Sequence, residues 1–189
     1  MKLQRENFVR NRKSETGVTL VETMVALAML LLVATGVMGL AGVALSTTET
    51  QGHLGARTSE YAQDKMEQLL ALKFCDAVTD TTQFPAITSP PGTGLAGCTA
   101  LTAPVPTAST GGNLNPTGPA AGYVDYLDAS GNLVAATANW EYERVWQISV
   151  PAGSVGLKQI TVLAQSNKKV GSNAILPQST VVALKTFPF

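Results

Sequence analysis

Residues 17–48 read GVTLVETMVALAMLLLVATGVMGLAGVALSTT, and the fold turns on how that stretch is read. From Thr23 to Thr48 there are 26 consecutive positions without a charged side chain, rich in Leu, Val, Ala and Met. As a helix rising 1.5 Å per residue they extend about 39 Å, more than the ~30 Å hydrocarbon core of a bilayer. Helices that long and uncharged are rare inside small domains, so the stretch reads as a membrane-spanning helix. Glu22, at the head of the run, does not fit that reading comfortably. An unpaired carboxylate there costs ~2.5–3.5 kcal/mol on insertion scales. It is therefore a candidate functional residue, and it requires a cationic partner.

On the amino side, Lys2, Arg5, Arg10, Arg12 and Lys13 stand against Glu6 and Glu15, a net of +3 for residues 1–17. The remainder holds eight basic and eleven acidic residues, a net of −3, so the formal zero of the whole chain is an average over unequal parts. The positive-inside rule places residues 1–17 in the cytoplasm and the chain beyond about residue 48 outside it. A secretory signal would have a shorter apolar core before its cleavage site. Ala41–Ala44 has the small-residue pattern, but the run ahead of it is too long. Without a basic excess, binding nucleic acid through bulk charge is excluded. With only 14% charged residues, so is a charged disordered tail.

The segment Gly17-Val18-Thr19-Leu20-Val21-Glu22 resembles the processing site of type IV pilins and type II secretion pseudopilins. The shared pattern is a basic leader ending in glycine, a glutamate fifth after the cut, then a long apolar helix. The resemblance implies that prepilin peptidase cuts between Gly17 and Val18 and methylates the new amino terminus at Val18. Gly17 would be required because a side chain would obstruct the peptidase. Glu22 would pair with the amino terminus of a neighbouring subunit, neutralising the buried charge. Val18 stands where many relatives have Phe or Met. Gly36, Gly39 and Gly42 occupy the region where many major pilins carry a helix-breaking proline. These glycines read either as close packing between membrane helices or as a point where the helix can melt.

On the carboxyl side, Glu49–Phe74 has no proline, and Ala62, Met66, Leu69 and Leu70 recur at helical spacing. Glu60, Gln63, Asp64, Lys65, Glu67 and Gln68 fill the other faces. Gly52 and Gly55 each weaken the helix by about 1 kcal/mol relative to alanine. A helix from Val18 to Phe74 is predicted, about 85 Å long. In the pilin plan its second half packs on a β-sheet. Two cysteines follow, Cys75 and Cys98. In an extracytoplasmic domain an even count suggests a disulfide, with free thiols the alternative. The bridge would be worth ~3 kcal/mol in the chain-entropy model. With two cysteines and one histidine, His53 in a polar stretch, a metal site is not expected.

Residues 76–121 are dense in Pro, Gly, Thr and Ala and read as an extended loop with at most one short strand. Beyond them, Tyr123–Leu127 and Leu133–Ala135 flank a Gly/Asn turn, a hairpin. The cluster Asp125, Asp128, Ser130 and Asn132 lacks the glycine position and closing Glu of a calcium loop and reads as a plain turn. Trp140–Val150 alternates, with Tyr142, Arg144, Trp146, Ile148 and Val150 on one side and Glu141, Glu143, Gln147 and Ser149 on the other. Leu157–Gln165 and Ser179–Thr186 complete three or four antiparallel strands. Tyr142-x-Arg144-x-Trp146-x-Ile148, Leu157-Lys158-x-Ile160-x-Val162 and the last Val-x-Leu strand resemble the sheet of PilV-type minor pilins. The helix end AQDKMEQLLALKF, residues 62–74, does so too.

The expected organisation is α+β, the type IV pilin fold: a leader at 1–17, an assembly helix at 18–48, an amphipathic half at 49–74, a loop region at 75–121 and a sheet at 122–189. No Gly-x-Ser-x-Gly elbow, phosphate loop or histidine in the globular part supports an enzyme, and pairs such as Asp125/Asp128 and Glu141/Glu143 read as surface residues. No cofactor is implied. The resemblance implies a minor pilin anchored in the inner membrane of a Gram-negative-type bacterium, its C-terminal domain periplasmic before it joins a filament. Its partners would be prepilin peptidase, other minor and major pilins, and the inner-membrane assembly platform. The alternatives are a minor pseudopilin of type II secretion and a pilus-tip adhesin or DNA-uptake subunit. The acidic globular part argues against a broad DNA-binding face.

Overall fold

A computed structural model describes residues 19–83, 85–88, 94–99, 104–169 and 176–188. Contacts divide the chain into two compact units, Met1–Leu45 and Ser46–Phe189. One helix, α1 (Leu20–Ala71), contributes to both. Thr19 caps it: its side-chain oxygen accepts the Glu22 N–H at 3.3 Å and its carbonyl accepts the Thr23 N–H at 3.2 Å. Thr-x-x-Glu at an N-terminus has the spacing of a capping box. Within the apolar run, the Thr35 hydroxyl donates back to the carbonyls of Leu31 and Leu32 at 2.9 and 3.0 Å, so it needs no external partner there.

The helix ends sooner than predicted on its carboxyl side, at Ala71 rather than Phe74. Val18 and Gly17 lie outside the described residues, and the described helix begins at Leu20 behind its cap. At the other end it stops at Ala71, with Leu72 N–H bonded to Leu69 O and the Lys185 ammonium donating to Leu70 O. A cation on the last carbonyls is a favourable terminus. The chain then turns, which seats Phe74 edge-on to Phe187 with ring centroids 5.6 Å apart.

In the Ser46–Phe189 unit, α1 buries Leu54, Thr58, Tyr61, Ala62, Lys65, Met66 and Leu69, a stripe of three- and four-residue steps. Its counterpart is a six-stranded antiparallel sheet. The strands are β5 (Gly111–Gly112), β6 (Val124–Leu127), β7 (Leu133–Val134), β8 (Tyr142–Ser149), β9 (Leu157–Ser166) and β10 (Gln178–Thr186). They run in the order β10-β9-β8-β6-β7, with β5 also on β8. Trp146 stands opposite Val162 and Ile148 opposite Ile160, and with Tyr142, Ala164, Leu127 and Leu95 they form the core under the helix. Each large apolar side chain so buried contributes roughly 1.5–3 kcal/mol. The hairpin and the three long strands fall where the sequence pattern predicts them, but in the first half of β8 both faces are covered, so that Glu143 and Val145 are buried as well. Leu70, read as part of the apolar stripe, is exposed, because it falls one position past the buried face.

The described residues of the 76–121 segment hold more strand structure than their composition suggests. Four two-residue strands, β1 (Thr79–Asp80), β2 (Ile87–Thr88), β3 (Cys98–Thr99) and β4 (Thr107–Ala108), pair β1 with β2 and β3 with β4, and β5 joins the main sheet. Local side-chain bonds hold the chain around β1. Asp76 accepts the N–H groups of Val78 and Thr79 and the Thr79 hydroxyl, and Asp80 accepts the N–H and hydroxyl of Thr82. Cys75 and Cys98 are joined by a disulfide that ties the end of α1 to β3. Gly112, at φ 74°, lets β5 lie against β8 and the Tyr123 ring, where a side chain would collide.

Candidate functional site

The first candidate is the apolar half of α1. Between Leu20 (75% exposed) and Leu45 (72%) its large aliphatic side chains lie open, and no membrane-length window of it is buried within the chain. Glu22 sits in the first turn, where the unpaired helix amides favour a negative charge. Among the described residues its carboxylate makes no ion pair. The cap was missed in the sequence, although Thr19-x-x-Glu22 is visible there. A Cβ added at Gly36, Gly39 or Gly42 would meet nothing within 4 Å, so packing inside this chain does not require glycine at any of the three.

The second feature is an ion cluster where α1 meets the sheet. Asp125 and Arg144 are directly opposed across β6 and β8, and the guanidinium holds the carboxylate with two bonds, 2.7 and 2.9 Å. Lys65 Nζ reaches the same carboxylate at 2.9 Å, donates to Thr81 O and Oγ1 at 2.7 and 3.0 Å, and lies 4.0 Å above the Trp146 ring. Arg144 also binds Asp64 at 2.8 Å and Tyr61 O at 3.3 Å. All of these side chains except that of Asp64 are buried. Burial alone would raise the Asp125 pKa, but Lys65 and Arg144 outweigh it and hold the carboxyl below the usual range. Burial lowers Lys65, and Asp125 only partly opposes it. Arg144, despite burial, is held above its usual value by Asp125 and Asp64.

These positions correct several expectations. Lys65, read as a polar-face residue, is fully buried because it falls in the stripe between Ala62 and Leu69. Asp125, read as surface or turn, points inward because it shares a strand face with Leu127. Glu143 is buried as well, and burial raises its carboxyl while Tyr126 opposes the shift. Asp128 closes the hairpin turn by accepting the N–H groups of Ser130 and Asn132, with Gly131 at φ 85°. Arg144 on an apolar strand face was the signal that a buried carboxylate must stand opposite. His53 is exposed. Among the described residues, no group of three or more His, Cys, Asp or Glu side chains is placed to hold a metal.

A second buried lysine, Lys158, donates to Leu95 O and Gly97 O at 2.5 Å each, anchoring the segment before Cys98 to β9. Burial, with the nearby charge of Lys185, lowers it to about 8. An open groove between α1 and the β6–β7 turn has Asp64, Gln68, Gln83 and Asn132 on its walls and Arg144 at its floor. Asp64 and Arg144 are engaged with each other and, through Arg144, with Asp125, which is the pattern of a structural cluster.

Neither a curated protein nor a solved structure matches the chain. The family profile of the prokaryotic N-terminal methylation motif matches residues 12–38, which include Gly17, Val18, Glu22 and the first part of α1. With a long amino-terminal helix on an antiparallel sheet, the architecture agrees with the type IV pilin fold, and at its amino terminus the chain is type IV prepilin-like.

Proposed function

We propose that the protein is a minor pilin: a subunit held in the inner membrane by α1, cut by prepilin peptidase between Gly17 and Val18, methylated on Val18, and assembled with other pilins to initiate or cap a type IV pilus. The observation that carries this is the methylation motif at residues 12–38 leading into a helix whose apolar half lies exposed. Exposed aliphatic surface on that scale requires a lipid or protein environment. Glu22 supplies the site where a neighbour's new amino terminus docks, and Gly36, Gly39 and Gly42 serve helix–helix contact or local melting, since this chain's own packing asks nothing of them. The Ser46–Phe189 unit faces the periplasm, where its disulfide is stable.

The test has two arms. Gly17→Phe should leave the precursor uncut on a gel, and normal processing would refute the assigned site. Glu22→Ala should be processed but absent from sheared filaments; unchanged incorporation would remove Glu22 from assembly. Deleting the gene and scoring piliation against exoprotein release separates the pilus from a secretion pseudopilus, since lost secretion with normal pili would reverse the assignment.

A further inference from the structure

Residues 94–98 lie against the end of α1 as a short strap. A Cβ at Gly94 would strike the Leu72 side chain, and Cys98 is bridged to Cys75. Leu95 is fully buried in the core. Ala96 follows at φ 57°, the only non-glycine residue at positive φ among the described residues, and Gly97 continues at 62°. The left-handed region crowds the alanine Cβ against the following carbonyl oxygen, so Ala96 holds this conformation only while its surroundings impose it.

Lys158 reaches from β9 to Leu95 O and Gly97 O, the carbonyls of the residues on either side of Ala96, and lies 5.0 Å from the centre of the Phe74 ring. The lysine is fully buried, and among the described residues no carboxylate pairs with it. The charged groups facing it are Lys185, directly opposite on β10, and Asp76 beyond α1, which is occupied with Val78 and Thr79. The strap thus covers a cation that would regain water if the strap moved away. A left-handed alanine and a dry lysine are relieved together by that movement. Opposing it are the burial of Leu95, Gly97 N–H on Asp76 O at 3.0 Å, Gly94 N–H on Thr79 O at 3.2 Å, and the disulfide.

We propose that the Cys75–Cys98 disulfide is a redox latch: reduction by a dithiol lets the strap at 94–98 lift from the core while the main sheet stays folded. One thiolate of the dithiol attacks a sulfur of the bridge and releases the other cysteine as a thiolate. The second thiolate of the dithiol then displaces the remaining cysteine. The protein gains two electrons and two protons, and the dithiol leaves as its own disulfide. Cys75 and Cys98 are both half-buried, within reach of a small reagent. No strap residue takes part in the β8–β9 and β9–β10 ladders, so the sheet keeps its own hold when the strap leaves. The latch belongs to the Ser46–Phe189 unit and does not depend on entry into a filament.

The test is native-state proteolysis of the full chain in detergent micelles, using a protease without disulfides. Rates are normalised to an unfolded control peptide at each pH, and fragments are assigned by mass spectrometry. At pH 7, dithiothreitol should raise cleavage within residues 94–98 about a hundredfold, with near-UV circular dichroism and cleavage within β8 and β9 unchanged. In the reduced chain, raising the pH from 7 to 9 should slow that cleavage about tenfold. Burial, with the Lys185 charge, holds the docked Lys158 down at about 8 against 10.5 when free, so docking is favoured as the proton is lost. Lys158→Met should be flat over the same range. Ala96→Gly, which adopts φ 57° freely, should slow cleavage of the reduced strap about fivefold. Equal cleavage of the strap in reduced and oxidised chains overturns the proposal. Cleavage that spreads at once to β8 and β9 also overturns it, since reduction would then unfold the whole unit. So does a reduced strap whose cleavage fails to slow toward pH 9.

Discussion

Replacing Asp125 by asparagine keeps the shape of the side chain and removes the one fully buried negative charge of the cluster. Arg144 loses its two-bond partner and Lys65 its 2.9 Å partner, leaving two buried cations with only the half-exposed Asp64 nearby. Breaking a buried pair in this way costs about 3–5 kcal/mol, and two stranded cations place the variant toward the upper part of that range. At about 2–4 °C per kcal/mol for a domain of roughly 150 residues, Tm should fall by about 6–20 °C. Lys65→Met is the informative contrast. It leaves Arg144 on Asp125, removes a cation that burial already disfavours, and keeps a chain against Trp146. Its cost is the partner lost by Thr81 O, about 1–3 kcal/mol. The double variant should be less destabilised than the sum of the two, because Lys65 without Asp125 is a liability. Thermal unfolding of the detergent-solubilised chain, read by near-UV circular dichroism, measures all three. The difference between wild type and Asp125→Asn should also shrink in acid: a lowered folded pKa gives stability present above the ordinary carboxylate range and lost as pH falls through the folded value. A loss under 1 kcal/mol, or Lys65→Met costing as much as Asp125→Asn, would refute the reasoning.

Lys158, at about 8 when folded against 10.5 unfolded, binds fewer protons in the folded state between those values. Its burial penalty is complete below pH 8 and relieved toward pH 10, so wild-type Tm should rise over that window relative to Lys158→Met, and parallel profiles would contradict this. Replacing both Cys75 and Cys98 by serine should cost about 3 kcal/mol in the chain-entropy model for a closure of 23 residues, seen as a lower denaturant midpoint. Gly112→Ala, at φ 74° and pressed against Tyr123 and the Trp146 carbonyl, should lose about 1–3 kcal/mol. Gly36→Ala should cost the isolated chain nothing in the same melt, so that any defect shows only in filaments.

The helix and the three long strands were legible because their patterns have a clear period: 26 uncharged positions in one run, and Tyr142, Arg144, Trp146 and Ile148 alternating on β8. The short strands between Thr79 and Gly112 were not. Each is two residues long, too short to show a period, and the side-chain bonds from Asp76 and Asp80 that hold the chain around β1 are not displayed by composition. Lys65 and Asp125 were misassigned for a different reason. Charge ordinarily signals exposure, but each of these positions follows the periodicity of its neighbours, and the two charges neutralise one another on the buried side. Arg144 alone broke the rule visibly enough to be noticed, because strand alternation fixes a face more strictly than helical spacing does.

Magnitudes also decide what Glu22 needs. As the last residue of the Thr19-x-x-Glu22 cap it lies at the helix amino end, where the aligned amides favour a carboxylate by about 0.3–1 kcal/mol. Leaving it charged and unpaired in an apolar segment costs ~2.5–3.5 kcal/mol. The cap covers about two fifths of that at best, so the helix does not solve its own charge problem. A cation must come from elsewhere, and among the described residues the nearest basic side chain along the chain is Arg57, 35 positions on and engaged with Glu60. Under the processing proposed above, the Val18 amine of a neighbouring subunit would carry the required charge, and the same cut would remove the basic leader. On this reasoning Glu22→Gln, which keeps the hydrogen-bonding shape and loses the charge, should assemble as poorly as Glu22→Ala. Glu22→Asp, one methylene shorter, should retain partial incorporation. Equal incorporation of the glutamine variant and wild type would mean that assembly does not need the charge.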